Sequence, residues 1–353
     1  MKFSVLEKNL IQQIESNIRD VTPGVLVRAY QNGRVICDIS VGNTYPYYDL
    51  ASLTKIIFTT QVMMLTYESK AWSFDSKVKD YLSWFPSEET RVKDLLTHTS
   101  GMKWWHAFFK EIDTSLPRTD RKAIIQKRLS EQVFEDKTKC VYSDLNFLTL
   151  LFFLEKIYQK DILEIWRDLK ALFYEGTTLD FNVDNIPSSR KSLYAPTEEC
   201  PWRKKLLQGE VHDENTWAMG GVSTHAGLFG SIDDVSWYAL ALRSEILGVA
   251  KYQVRQKTAR VFTERSVAPE VGDFALGFMV PTKGASSSGS YFSTHSIGHI
   301  GFTGTSIWFD PKQDLSVIIL SNRLLYGRDN DRFKKLRPQI HDWLFEGLRK
   351  SSL

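Results

Sequence analysis

Apolar and polar positions repeat with two different periods along this chain, and the change of period divides it. Residues 24–30 and 34–41 carry the apolar runs and alternation of strands, and Gln31, Asn32 and Gly33 between them supply the Asn-Gly signal of a tight type I′ hairpin. Ahead of them, residues 1–16 read as an amphipathic helix broken by charges. After Asp49 a loop turns into an almost uncharged run ending at Leu65, which predicts a buried helix opening at Ser52. From about Trp72 the period becomes helical: short helices over 78–82, 92–96 and 121–134, then longer ones over 147–158 and 162–173.

Strand character returns over 274–280, 294–299, 305–309 and 315–320, and a hairpin-length turn at 310–314 joins the last two. A helix from about Asp331 to Arg349 closes the chain. Antiparallel hairpins at both ends and a helical middle predict an α/β (α+β) fold. It comprises one split domain, 1–85 plus 216–353, with an antiparallel sheet flanked by helices, and an inserted, mostly helical lobe over 86–215. No internal repeat is visible. The serine-rich run Ala285 to Ser290 predicts a mobile loop.

Composition changes this picture little. The 353 residues are 42% hydrophobic and 25% charged with a formal net charge of +3, so no global field favours nucleic acid. The densest basic run, Arg332 to Arg337, alternates with apolar residues and predicts a solvated helix face. Cys37, Cys140 and Cys200 are odd in number and share no metal-ligand spacing, which favours reduced thiols. No signal-peptide pattern or membrane-spanning run is present, so the expectations are a cytoplasmic chain and no membrane partner.

Chemistry concentrates in a few segments. Ser-x-x-Lys occurs four times, at Ser52/Lys55, Ser76/Lys79, Ser100/Lys103 and Ser188/Lys191, but only the first copy opens a long apolar helix. Residues at i and i+3 share a helix face, so Lys55 can meet the Ser52 hydroxyl. An amine kept close to neutral by an apolar surround takes the serine proton. Helix-start N–H groups favour an oxyanion at the same place. Tyr142, just before a helix capped by Ser143 or Asp144, serves as a second base or proton relay if it is aimed at Ser52. The glycines at 298, 301 and 304 let a substrate approach the backbone, and the Phe302 N–H then becomes the second oxyanion donor beside that of Ser52. His98 is either catalytic or a buried histidine bonded to backbone, with the second favoured. His212, Asp213 and His225 read as a hydrogen-bond network in preference to a metal site, so neither metal nor cofactor is expected.

The order Ser52-Leu-Thr-Lys55, Tyr142-Ser-Asp144, His299-Ile-Gly301 resembles the serine β-lactamase/penicillin-binding-protein superfamily, in its class C β-lactamase-like branch with esterase and D-peptidase relatives. His98-Thr-Ser-Gly-Met102, Val211-His-Asp-Glu-Asn215 and His225-Ala-Gly-Leu-Phe229 look like landmarks of that family, in family order. The resemblance implies a β-lactamase/transpeptidase-like fold, Ser52 as acylated nucleophile, Lys55 and Tyr142 as its activating partners, and Asp144, His299 and Gly301 as substrate-binding positions. Two departures stand out. Asp144 occupies the place of an amide-binding asparagine, and His299 that of a charged lysine. Both make the site less cationic than a β-lactam carboxylate requires. The expected function is a serine acyl hydrolase for small esters or D-amino-acid-containing, cell-wall-type peptides. The alternatives are a β-lactamase and a catalytically silent ligand sensor, and the oligomeric state stays open.

Overall fold

A computed structural model describes residues 4–135, 139–183 and 186–351. Its centre is a five-stranded antiparallel sheet built from both ends of the chain: β1 Gly24–Gln31, β2 Arg34–Gly42, β3 Ile297–Ile300, β4 Ser306–Asp310 and β5 Leu315–Ser321. The spatial order is β2-β1-β5-β4-β3. The expected hairpin turn is present, with Asn32 and Gly33 both at positive φ (54° and 74°), as a type I′ turn requires. The pairing of Val27 with Ile319 and of Ala29 with Val317 joins the first hairpin to the last.

Strand alternation gives the sheet two apolar faces. Val25, Val27, Ala29, Val317 and Ile319 pack under the terminal helices, α1 Val5–Ile18 and α5 Arg332–Ser351. Leu26, Ile318 and Leu320 point the other way, toward α4 Ile232–Leu247 and the large apolar cluster beyond it. That cluster also takes in the helix leading away from Ser52, α2 Thr60–Glu68, and the long helix α3 Asp144–Tyr158, which is apolar on almost every side and buried accordingly. The expected boundaries at 86 and 215 therefore divide the path of the chain and not its core. Leu95, Phe147 and Ile165 from the helical stretch share one cluster with Leu50, Ile57 and Ile318.

Several elements differ from expectation. Residues 274–280 form no strand, only bridges from Phe274 to Met279 and from Met279 to Gly298. Gly277, at φ +85°, turns the segment, and its amide donates to Leu96 O while that of Leu276 donates to Phe262 O. The segment is thus tied to the helical side at Leu276 and Gly277 and meets the sheet only at the Met279–Gly298 bridge. The serine-rich run is anchored: Ser288 is buried, and the Ser290 amide donates to Asp342 on α5 at 2.6 Å. The strand expected from 294 starts at Ile297, because Ser293 to Ser296 close a turn. The first helix begins after Ser4, which caps it with Glu7; residues 1–3 of that expectation lie outside the described residues. The basic run on α5 is solvated except for Arg337, which is buried. All three cysteines are free.

Candidate active site

Ser52 sits where the loop from the sheet becomes the buried helix. Ala51 before it has φ +48°, a left-handed conformation that non-glycine residues adopt at a cost. That turn is held by its surroundings. Asp49 Oδ1 accepts from the Ala51 amide at 2.8 Å and Oδ2 from the His212 amide at 2.7 Å, while Thr54 Oγ1 donates to Ala51 O at 2.7 Å. Burial pushes the Asp49 carboxyl up, against the opposing effect of those amides. The helix opens with a wide π turn over Lys55–Thr59 before settling into α2. Such turns recur at functional positions.

The i, i+3 geometry brings Lys55 Nζ within 3.0 Å of Ser52 Oγ. The same nitrogen lies 2.7 Å from Asp144 Oδ1 and 3.0 Å from the His225 carbonyl, so three N–H bonds meet three acceptors. The Tyr142 hydroxyl donates to Ser52 Oγ at 2.9 Å, and the Lys55 ammonium rests 5.0 Å from the Tyr142 ring centre. Here the expectation of a near-neutral amine fails. Burial alone would lower the Lys55 pKa, but the Asp144 carboxylate and the Tyr142 oxygen raise it above the ordinary lysine value. Burial also raises the Tyr142 pKa, against the pull of Lys55. At rest the lysine is an ammonium ion and the tyrosine a phenol. Asp144 Oδ1 is the lysine's ion partner, on a side chain that stays 17% exposed.

The third segment meets the serine loop from the sheet side. Thr303 Oγ1 donates to Asp49 O at 2.7 Å and Thr305 Oγ1 to Leu50 O at 3.0 Å. A Cβ on Gly301 would lie 2.0 Å from Thr305 Oγ1 and 2.7 Å from Leu50 O, so only glycine lets these strands close. The glycine therefore serves chain packing, and what it offers a substrate is backbone alone. Gly298 is likewise hemmed in by Ile307 O and the Trp308 ring. Among the described residues, neither the Ser52 nor the Phe302 amide donates to a protein acceptor.

His299 is 1% exposed. Its Nδ1 is bonded to Ile300 O at 2.9 Å, which makes Nδ1 the protonated nitrogen and leaves Nε2 as an acceptor. Burial, helped by the charge of Lys55, pushes its pKa down to about 3, so the ring is neutral. His98 is the buried structural histidine: its Nδ1 accepts from the Ser143 amide at 3.1 Å, and burial holds its pKa well below the usual value. Ser143 caps α3 and donates to Lys103 O.

His212, Asp213 and His225 join a hydrogen-bond network. His212 Nε2 meets Glu198 at 2.8 Å, His225 Nε2 meets Asp213 at 3.0 Å, and His225 Nδ1 is bonded to Ser223 Oγ at 2.7 Å. His225 holds Asp213 below the usual carboxylate range despite burial. Ligand atoms of Asp144, Asp213 and His225 lie within 4.8 Å of one another, as a metal would need. The Lys55 ammonium on Asp144 already brings positive charge to that cluster, which opposes a second cation. The other Ser-x-x-Lys pairs do not come together as a site. Ser100 bonds Asn146, Lys79 pairs with Glu88, and Ser188 and Lys191 lie exposed on a short surface helix. Sequence reasoning missed Asp49, Thr303 and Thr305, whose only signal was a run of small polar residues around the motifs.

His98 and His299 set a pH dependence of stability. Both pKa values fall on folding while the unfolded chain titrates near 6.5, so their contribution is complete above about pH 6.5. As pH falls toward 3 the unfolded chain takes up protons that the fold refuses, at up to about 1.4 kcal/mol per pH unit for each ring. The urea midpoint should fall from pH 7 to pH 5, and fall less in His299→Gln. An unchanged difference in that variant would remove His299 from the effect.

An N-acetylmuramyl-L-alanine amidase of Bacillus subtilis is 27% identical over 88% of this chain and 80% of its own length. Among solved structures, a hydrolase with promiscuous acyltransferase activity, EstCE1, superposes with a TM-score of 0.70 at 18% identity, over 96% of this chain and 100% of that one. A class C β-lactamase from Rhodobacter sphaeroides gives 0.68 at 18% identity, over 95% and 99%. The family model described as Beta-lactamase matches residues 10–338. The chain belongs to the β-lactamase family, within the serine β-lactamase/penicillin-binding-protein superfamily.

Proposed function

We propose that this chain is a serine acyl hydrolase in which Ser52 is acylated and then released by water. Its substrates are uncharged short esters and amides of the cell-wall peptide type. The observation that carries the reading is the convergence on Ser52 Oγ of Lys55 Nζ and the Tyr142 hydroxyl, beside two amides with no protein acceptor. The relatives support the class: the Bacillus subtilis protein is named for an amide cleavage, and a Salmonella agona protein, 27% identical over 84% of this chain, is described as a candidate D-alanyl-D-alanine carboxypeptidase.

The proton inventory dictates the path. With Lys55 an ammonium and Tyr142 a phenol, neither accepts the serine proton as it stands. Moving a proton from Lys55 to Asp144 across 2.7 Å leaves a neutral amine and a neutral acid, a redistribution that burial favours because it removes two charges. The amine then takes the serine proton as Oγ attacks the carbonyl, so the proton is stored, in net terms, on Asp144. The Ser52 and Phe302 amides receive the oxyanion. Tyr142, bonded to Oγ, gives its proton to the departing alkoxide or amine and is restored through Lys55. In the second half water replaces the alcohol and the steps reverse.

The neutral His299 sets the preference among substrates. An imidazole whose free nitrogen only accepts offers a substrate carboxylate nothing. A chain of rings, Trp104, Trp105, Phe109, Trp202 and Trp217, each about 4.5 to 6.2 Å from the next, starts beside Asp144 at Trp104. Trp104 is 64% exposed, and its carbonyl accepts from the Asp144 amide. Such a surface suits a flat, weakly polar group.

Four outcomes test the reading. Ser52→Ala should abolish turnover and fluorophosphonate labelling with the fold intact. Lys55→Ala and Tyr142→Phe should each cost on the order of 10²–10⁴ in kcat, and the double variant little more, because both serve one relay; additive losses would assign them to separate steps. Asp144→Asn should lose on the order of 10²-fold at pH 7 and acquire a kcat/KM that rises with pH, since only a deprotonated Lys55 then serves as base. A wild-type profile in that variant would remove Asp144 from the relay. Short p-nitrophenyl esters should be turned over with higher kcat/KM than nitrocefin; the reverse order defeats the role given to His299.

A further inference from the structure

Beneath α5, among the described residues, Arg337 and His341 are buried without a hydrogen-bond partner, and the buried Arg323 is only partly partnered. Arg323 is 1% exposed, Arg337 2% and His341 0%. Arg323 Nε donates to Phe302 O at 2.9 Å and Nη1 to Asn330 O at 3.0 Å, but Nη2 has no partner. Arg337 lies with its guanidinium 5.3 Å from the Phe333 ring centre, its Nε unpartnered, and among the described residues it forms no ion pair. Neither ring nitrogen of His341 has a partner. Arg337 and His341 are four residues apart on one helix and so share a face.

The adjoining sheet surface adds donors of the same kind. Ser306 pairs with Ile319 and Trp308 with Val317, and directly paired residues point to the same side, here the side under the terminal helices. The Trp308 indole N–H and the Ser306 hydroxyl both lack partners. Phe292 links the two sets, packed edge-on to His341 at 5.4 Å and 6.2 Å from Trp308.

Charge makes this grouping unusual. An arginine does not escape burial by losing its proton within the ordinary pH range, and an unpaired buried cation is among the costliest features a fold carries. Each group here worsens the next: burial and then the charge of Arg323 lower the Arg337 pKa to about 9, and burial and then the charge of Arg337 lower that of His341 to about 3. The acid acting on Arg323, Asp331, is exposed and paired with Lys334. The donors are many, among the described residues no carboxylate forms an ion pair with Arg323, Arg337 or His341, and the surfaces between them are aromatic.

We propose that Arg323, Arg337 and His341, with the Trp308 indole and the Ser306 hydroxyl, form a buried binding site for a small inorganic anion of chloride size. The unpartnered atoms are wholly buried, which suits a small anion better than an organic one. The site has a route to the chemistry. Arg323 holds the Phe302 carbonyl, its guanidinium lies 4.8 Å from the Phe302 ring centre, and its amide donates to Thr303 O. An anion that fixes Arg323 therefore fixes the loop carrying the Phe302 amide. This second statement rests on the oxyanion role given to Phe302; the binding itself does not.

The test compares the full chain in gluconate, too large to enter, with chloride, bromide and nitrate at constant ionic strength, reading thermal midpoint and ester turnover. The expected result is a saturable rise of several degrees in the midpoint at millimolar halide, as for a ligand that binds only the folded state, with a several-fold rise in kcat. Crystals grown in bromide should show one anomalous peak beside Arg337. Arg337→Met should lose the halide response while keeping a midpoint in gluconate at least equal to that of wild type. If it fails to fold, the bromide peak in the wild type decides. A halide effect that does not saturate, or no bromide peak, overturns the site, and a response that survives in folded Arg337→Met overturns its location. A midpoint that responds while kcat does not upholds the site and overturns its link to Phe302. Loss of Ser52 labelling alone would instead strike at the hydrolase reading.

Discussion

One buried ammonium organises the catalytic side of this molecule. Lys55 is wholly buried, and a charge in that position persists only if each of its three N–H bonds finds an acceptor. The acceptors come from three distant parts of the chain: Ser52 on its own turn, Asp144 at the head of α3, and the His225 carbonyl beyond the helical stretch. Satisfying one charge thus fixes the meeting point of three segments. Removing any acceptor leaves an uncompensated N–H in an apolar cluster, so the site is specified by electrostatics as much as by packing. Asp49 plays the corresponding part for the backbone, receiving amides from both the Ser52 turn and the His212 segment.

The sheet does the positioning. Thr303 and Thr305 leave its edge to hold the carbonyls of Asp49 and Leu50, the two residues before the strained Ala51. The Ser52 turn is therefore gripped by a rigid strand pair on one side and by α3 on the other. The cost of a left-handed alanine, on the order of 1–3 kcal/mol, is offset by these bonds. Strain of that kind keeps the hydroxyl at the mouth of the helix, where both the lysine and the tyrosine reach it.

Much of this was legible in the sequence, for physical reasons that also explain what was not. The Ser52–Lys55 contact follows from helix geometry alone, the Asn32-Gly33 turn from its φ preference, and the pairing of terminal hairpins from two strand-like ends around a helical middle. Residues 274–280 have the composition of a strand, but Gly277 and tertiary bonds to Leu96 and Phe262 bend them away, and composition carries no information about those partners. The serine run reads as mobile because its anchor, Asp342, is about fifty residues distant. The charge state of Lys55 was invisible for the same reason: an apolar surround predicts a neutral amine, and only the fold brings Asp144 to it. Arg337 repeats the lesson, a basic residue in a basic run that the helix turns inward.

The two departures from the family pattern are linked through this charge balance. An asparagine at position 144 would leave Lys55 free to lose its proton, and a lysine at 299 would then press a second cation against the site. Asp144 keeps Lys55 charged, and that charge in turn lowers the pKa of His299, one of the effects that hold its ring neutral. A lysine at 299 beside a permanently charged Lys55 would bury two like charges with one carboxylate between them, which costs more than a neutral imidazole does. The carboxylate at 144 and the imidazole at 299 therefore make a consistent pair. The carboxylate at 144 balances the charge of Lys55, and the imidazole at 299 adds none of its own.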